Sequence, residues 1–307
     1  MNKTVRRVLA LFLALLMALS LSACSMFSGR AAICAAKMSK VKSLRMDLYT
    51  DLRMSMSLFG EAMNLDMSVT GPLELTTSPM KAGAELRVEM LGEALKLLSY
   101  TERSGSSQVV YYSADQGKSW QKQALDTAGF SAGGGLDMKS IAGIAKLGAN
   151  FEETGLETVK GSEAIVYQGS ISVADLRQII DFSAVLAAAE KSSGLSLEES
   201  DFDFDSVAPI PLTLCISKRG SMLVRYAVDL TGLAQAILPV VVQAAVKNAM
   251  AQSPLSGIAD TDGADLSTLG IDFNLSRLVV ASDLYDFDAV ADITIPPEAL
   301  AAETAAP

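Results

Sequence analysis

The chain has 307 residues, half of them hydrophobic, with 25 basic against 35 acidic side chains and a formal charge of −10. So acidic a surface repels polyanions, which excludes nucleic acid as a partner. No histidine occurs, which removes Ser-His-Asp and Cys-His nucleophile systems and histidine-ligated zinc.

Lys3, Arg6 and Arg7 open the chain, an apolar run occupies 8–21, and the segment closes Leu21-Ser22-Ala23-Cys24. A basic start, a short apolar run and small residues describe a secretory signal peptide over 1–23. The run is shorter than the roughly 20 residues that a bilayer span needs. Leu-Ser-Ala-Cys resembles the lipobox of bacterial lipoproteins. That resemblance implies that Cys24 is lipidated on its sulfur and becomes the mature N-terminus. Cleavage would remove three of the 25 basic residues and no acids, leaving 284 residues with 22 basic, 35 acidic and a charge of −13. Attachment must then come from acyl chains, and stable anchoring takes more than one. Residues 24–30 form the lipidated N-terminus and tether. The six residues from Ser25 to Arg30 reach at most about 20 Å. The chain that follows is therefore expected at the extracytoplasmic face of the cell membrane, as a single domain over 31–300 with a disordered tail over 301–307.

Residues 31–44 carry Ile33, Cys34, Met38 and Val41 at helical spacing and predict a helix. Residues 46–90 organise the rest as three strands, each apolar on one side only. Met46, Leu48, Leu52, Met54, Met56 and Leu58 alternate with polar residues in the first. Met63, Leu65, Met67 and Val69 do so in the second, and Ala82, Ala84, Leu86, Val88 and Met90 in the third. Gly71-Pro72 is expected to bend or end the second strand. Further strands are expected over 94–101 and 109–112, with Trp120 on a short one. The four glycines of 128–135 lack the Lys-Ser/Thr of a phosphate loop and read as a connector to a helix over 136–147.

A hairpin is expected around Lys160-Gly161, and Ser172 with Asp175 forms a capping box for a helix bearing Leu176, Ile179, Ile180, Val185 and Leu186. Asp201, Asp203 and Asp205 begin like a calcium loop. However, Ser206 replaces its glycine and Leu212 its bidentate glutamate. Asp260, Asp262 and Asp265 are weaker still, and solvated acidic loops are expected at both places, with no metal. Strands are expected over 212–216 and 222–230. The apolar stretch 233–250, which Pro239 is expected to kink or restart, is the element expected to fill the concave side of the sheet. Closing strands are expected over 271–280 and 291–295, stopped by Pro296-Pro297. Cys34 and Cys215 have nothing local to pair them and are expected as free, partly buried thiols.

Three phrases carry a family resemblance: Val109-Val110-Tyr111-Tyr112 running to Gly117-Lys118-Ser119-Trp120; Glu157-x-Val159-x-Gly161-x-Glu163-Ala164-x-x-Tyr167; and Val224-x-Tyr226-x-Val228-Asp229-Leu230-Thr231. With the lipobox they resemble the LolA/LolB/LppX-type lipoprotein group, in particular its uncharacterised Gram-positive relatives. The resemblance implies an α+β fold: a curved antiparallel sheet, or unclosed β-barrel, with helices on its concave face. It also implies a hydrophobic cavity for acyl chains, and offers no catalytic residue and no cofactor to carry over.

Seven of the 14 methionines fall between Met46 and Met90. Flexible, polarizable side chains let such a surface repack around varied apolar partners. Met54, Met56, Met63, Met67, Leu86 and Val88 are the candidate cavity residues. Two non-enzymatic functions follow. One is an anchored protein that binds lipid or another amphiphile between sheet and helices. The other is a solid-cored envelope lipoprotein whose acidic exterior meets a protein partner.

Overall fold

The computed structural model describes residues 29–58, 61–104, 107–126, 138–177, 182–183, 186–187, 190, 195, 197–251 and 271–303. Its strands are β1 (Ser43–Leu58), β2 (Glu61–Thr77), β3 (Met80–Met90), β4 (Glu93–Ser104), β5 (Ser107–Ser113), β6 (Gln121–Asp126), β7 (Glu152–Val159), β8 (Ser162–Ile171), β9 (Ile210–Ser217), β10 (Leu223–Asp229) and β11 (Ile271–Tyr285). The α-helices whose bounds fall within the described residues are α1 (Gly29–Met38), α2 (Met138–Leu147), α3 (Val173–Arg177), α4 (Thr231–Ala251) and α5 (Pro297–Leu300). The strands form one antiparallel sheet in the order β6-β5-β4-β3-β2-β1-β11-β10-β9-β8-β7, whose two edges do not meet. This is the α+β open-barrel architecture that the family resemblance implies, built on the one-sided strands that the alternation predicts.

Register explains which face is buried. Leu44, Met46, Leu52, Met54 and Met56 of β1 stand opposite Leu75, Leu73, Met67, Leu65 and Met63 of β2. Because the side-chain period is two, one pairing puts all of these residues on the same side. That inner face packs in one continuous core with Cys34, Ala35 and Met38 of α1, Ile141, Ile144 and Ala145 of α2, and Leu233 and Ile237 of α4.

Strand β11 needs a correction to its period to join this face. Arg53 pairs with Arg277 but Met54 pairs with Leu275, so Ser276 is an extra residue, a β-bulge. Without it Leu275 and Leu278, three apart, would face opposite ways; with it both are buried in the core. A second irregularity in β10 sends Leu223 inward and Val224 outward, where it packs with Cys215, Val159 and Ala164 in a small outer cluster.

Glycine 71 does not end β2. The strand runs through it, with Gly71 opposite Leu48 and Pro72 opposite Asp47. On the β3 side the ladder skips from Thr70–Arg87 to Leu73–Ala84, as it must where proline has no N–H to give. Gly71 has φ +151°, and a Cβ there would lie 2.1 Å from the Glu85 carbonyl oxygen. Only glycine lets the two backbones approach so closely.

The expected closing strand over 291–295 is not one. It pairs with no strand and crosses the outer face as an extended strap. Lys81 Nζ holds it through Asp292 at 2.8 Å and the Ile293 carbonyl at 3.1 Å. Ile293 lies over Gly83, whose missing side chain makes the room. Ile295 and Ala299 cover Tyr111, with Tyr100 and Trp120 beside them. Proline 297 opens α5 instead of stopping a strand, since the first helical turn needs no donor there. Of the expected tail, Ala301–Glu303 continue from α5; 304–307 lie outside the described residues.

Other expectations hold. Lys160-Gly161 turns β7 into β8 with both residues at positive φ. Ser172 Oγ accepts from the Asp175 N–H at 3.0 Å, while the Asp175 carboxylate accepts from the Ser172 N–H at 2.9 Å. Pro239, by contrast, does not restart the helix and lies inside a continuous α4. No helix of the described residues is long and apolar enough to cross a membrane. Ile179, Ile180, Val185 and Asp260, Asp262 and Asp265 lie outside the described residues.

Cys34 and Cys215 are free and buried on opposite faces. Burial pushes each thiol up to about 12, with the Glu157 carboxylate adding to the effect at Cys215. Two outcomes are expected. Neither thiol should react with a water-soluble disulfide reagent until the protein unfolds. As both folded values exceed the unfolded one, their contribution to stability is intact below about pH 8.5 and is lost progressively towards about pH 12, which an alkaline denaturation series reads. Gly71→Ala should cost roughly 3 kcal/mol in a urea titration, from strain plus the clash.

Candidate functional site

The central strands outrun their neighbours at one end of the sheet. On one side the β2–β3 ladder stops at Met67–Met90. On the other, the β10–β11 ladder stops at Asp229–Val279. Beyond these points only β2, β1 and β11 continue, as a three-stranded tongue. Its inner face places Met54 between Leu65 and Leu275, and Met56 between Met63 and Phe273.

Helix α4 takes the place of the missing strand along β11. The Leu230 N–H donates to the Leu278 carbonyl at 2.8 Å, the Leu278 N–H donates to Thr231 Oγ1 at 2.9 Å, and Gln235 Nε2 donates to the Leu275 carbonyl at 2.7 Å. These bonds satisfy backbone groups that would otherwise be stripped of water without a partner. They also fix the direction of α4, which runs along β11 towards the tip of the tongue. Its Leu238, Val240, Val241, Ala244 and Ala245 are half-buried against the core. Tongue and helix thus lie side by side along β11, each with apolar residues against the core.

The six candidate residues all lie on the inner face, but at different depths. Met67, Leu86 and Val88 are buried in the core. Met54 and Met56 are half-buried, and Met63 is 46 % exposed. Burial therefore falls away along the tongue, from a sealed core to an open apolar lip. Leu65, Leu275 and Phe273 share this surface and were not among the candidates. The bulge at Ser276 hides the last two from any period-two count. Cys24 lies outside the described residues.

Charge is kept to the other side of the sheet. From Leu44 to Met56, Met63 to Leu75 and Ala82 to Met90, no inner-facing position holds an ionisable residue. On the outer face Arg225 forks onto Asp283 at 2.5 and 2.9 Å and reaches Glu157. The Asp283 carboxylate raises the guanidinium's pKa, against the opposing effect of burial. Lys160 pairs with Asp47, which also accepts from the Tyr285 hydroxyl at 2.9 Å. Nearer the tongue, a shallow outer depression of about 570 Å³ is lined by Asp51, Arg53, Asp66, Ser68, Arg87 and Glu89, among others. Its lining is charged, with Asp51, Asp66, Glu89 and Glu93 against Arg53 and Arg87, so it suits no acyl chain. The acidic loop puts Phe202 and Phe204 in the core beside Phe182 and leaves its aspartates to bind backbone, Asp203 accepting from the Ser206 N–H at 3.3 Å. With an apolar inner face, the tongue and α4 can shelter hydrocarbon.

Fold and site together define an open antiparallel barrel with an apolar inner face that is uncovered at one end. Neither a protein-family model nor a curated protein sequence matches the chain. Among solved structures it is similar to LprF from Mycobacterium bovis, with 12% identity, a TM-score of 0.42 and coverage of 88% of this chain and 95% of that one. It is similar also to the Mycobacterium tuberculosis lipoprotein LppX, with 12% identity, a TM-score of 0.37 and coverage of 87% and 100%. A DUF1329 family protein from Desulfovibrio piger gives 8% identity, a TM-score of 0.19 and coverage of 85% and 92%.

The gradient of burial predicts a contrast between two methionines. Met67→Ala should lose about 2–5 kcal/mol in chemical denaturation. Met63→Ala, at the open lip, should stay within about 0.5 kcal/mol of the parent.

Proposed function

We propose that this chain is a membrane-anchored lipoprotein that binds lipid or another amphiphile between the sheet and α4. The single observation that carries this reading is the tongue: Met54, Met56, Met63, Leu65 and Phe273 form an apolar lip continuous with the core but not sealed by it. An uncovered apolar surface of this kind is costly in water unless something covers it. An acyl chain fits the requirement, because each sheltered methylene contributes roughly 0.8 kcal/mol. Burial of about ten methylenes would exceed the lower estimates of the cost of association. Methionines suit a chain of varying length and unsaturation.

The anchor is assigned to Cys24, after removal of 1–23, with 24–30 as tether and 31–300 as the folded unit on the extracytoplasmic face of the cell membrane. The Leu-Ser-Ala-Cys sequence supports it. A second reading is favoured by the burial of Met67, Leu86 and Val88. If the core is solid throughout, the molecule is an anchored envelope protein that acts through a protein partner on its outer face.

Native mass spectrometry of protein purified from membranes separates the two. Lipid should copurify with the parent chain, and Met56→Trp should abolish that adduct while circular dichroism stays unchanged. A ligand-free mass in repeated preparations, with Met56→Trp indistinguishable from the parent, would remove the carrier reading and leave the solid core.

A further inference from the structure

Most of the inner face of the central strands is sealed, but one position in mid-sheet is not. On β1, Met46, Thr50 and Leu52 are 1 %, 5 % and 2 % exposed, yet Leu48 among them is only half-buried. Register gives the reason. Met46, Thr50 and Leu52 face Leu73, Val69 and Met67 on β2, whereas Leu48 faces Gly71, which brings no side chain. The incompletely covered strip continues on the same face of β3 and β4, where Ala84 and Leu97 are half-buried against the core.

The other flank of Leu48 is Ser282 of β11, paired in turn with Tyr226 of β10. Leu278, Val280 and Leu284 share the face of Ser282 and belong to the core, so its side chain points inward. Ser282 is 0 % exposed, and among the described residues its Oγ has no hydrogen-bond partner. Burial pushes the neighbouring Tyr226 hydroxyl up to about 12, while Ser282 acts in the opposite direction. The two hydroxyls are thus close, yet they do not meet in the geometry of a hydrogen bond. A buried hydroxyl without a partner costs stability that an alanine would not. Such groups are rare in native proteins, and each asks for an explanation. The residues that share its face are apolar, so nothing in the pattern of β11 calls for a serine here.

A serine hydroxyl can donate one hydrogen bond and accept others. No ionisable side chain faces inward at Leu48 or at its neighbours on β1 and β2. A charge brought to this place would be stripped of water without a counter-ion. The group that suits it is an uncharged oxygen. Adjacent strands are roughly 5 Å apart, so an oxygen lying over Leu48 is within reach of the serine.

We propose that the Ser282 hydroxyl is a ligand contact inside the barrel, where it hydrogen-bonds an uncharged oxygen, carbonyl or hydroxyl, of an amphiphile that lies over Leu48. This contact rests on the carrier function proposed above and adds a preference to it. An esterified acid or an alcohol is favoured over an ionised fatty acid or a bare hydrocarbon.

The test uses the full lipidated chain, delipidated in non-ionic detergent, and its Ser282→Ala variant. Each is offered radiolabelled methyl palmitate, 1-hexadecanol, ionised palmitate or hexadecane against the same excess of micelles. The variant should retain hexadecane and palmitate as the parent does, but methyl palmitate and hexadecanol roughly fivefold less, the worth of one hydrogen bond. Its ligand-free urea midpoint should rise, because an unpaired buried hydroxyl is gone. A loss confined to methyl palmitate would support the contact with the serine as donor, and one confined to hexadecanol with it as acceptor. Equal retention of both by parent and variant would overturn the contact and leave the carrier standing. An equal loss of hexadecane would mark repacking and overturn it too. A lowered midpoint would show the hydroxyl satisfied within the fold, with the same consequence. A parent that retains none of the four, hexadecane included, would remove carrier and contact together.

Discussion

Strand β1 is paired with β2 over its whole length and with β11 from Arg45 onwards, and the remaining structure depends on that double ladder. From Met46 on, every inner side chain of β1 has a neighbour on each flank. Leu44, Met46 and Leu52 end up almost without exposure. Burial of side chains of this size is worth roughly 1.5–3 kcal/mol each. A slip of one residue would turn the set out to solvent, which is why the register is so strongly specified. The bulge at Ser276 is the adjustment that lets β11 satisfy the same condition.

The open end follows from where the flanking ladders stop. Once β3 and β10 have ended, β2 and β11 would present bare backbone. Along β11 that gap is closed by a helix whose first turns supply a hydroxyl, an amide and a backbone N–H. The helix satisfies hydrogen bonds along an edge, yet it cannot cover the inner face as a further strand with its own cover would. Apolar surface remains at the lip. The same economy shapes the outer face, where polar side chains are tied into ion pairs across β1, β10 and β11, and the strap from Ile293 to Ala299 shields the aromatic residues of β4 and β5.

Much of this is legible from residue types alone, because local signals and global packing agree over long stretches. The alternation of 46–90 yields three strands with the right face inward. Lys160-Gly161 and the Ser172–Asp175 box work within a few residues, so tertiary contacts need not be known to read them. The failures share a cause. Residues 291–295 look like a strand, having alternating apolar side chains, but their partner is a glycine gap and an aromatic patch on another part of the sheet, not a ladder. Gly71-Pro72 looks like a stop; it is a place where two backbones touch. Phe273 and Leu275 escape notice because one inserted serine changes the period between them and Leu278.

Within the candidate site the same division holds. By itself the sequence determined that one side of the central strands is oily, that it is rich in methionine, and that no inward position there is ionisable. Those are properties of spacing two apart, and spacing is written in the chain. Only the tertiary structure decided how deep each residue lies. Met67 and Met63 are four residues apart on the same face of the same strand, and nothing in their surroundings in sequence distinguishes them. One is sealed because β3 runs alongside and the core closes over it; the other is open because β3 has already turned back at Leu91. Depth depends on where neighbouring strands end, and that is set by contacts between residues far apart in the chain.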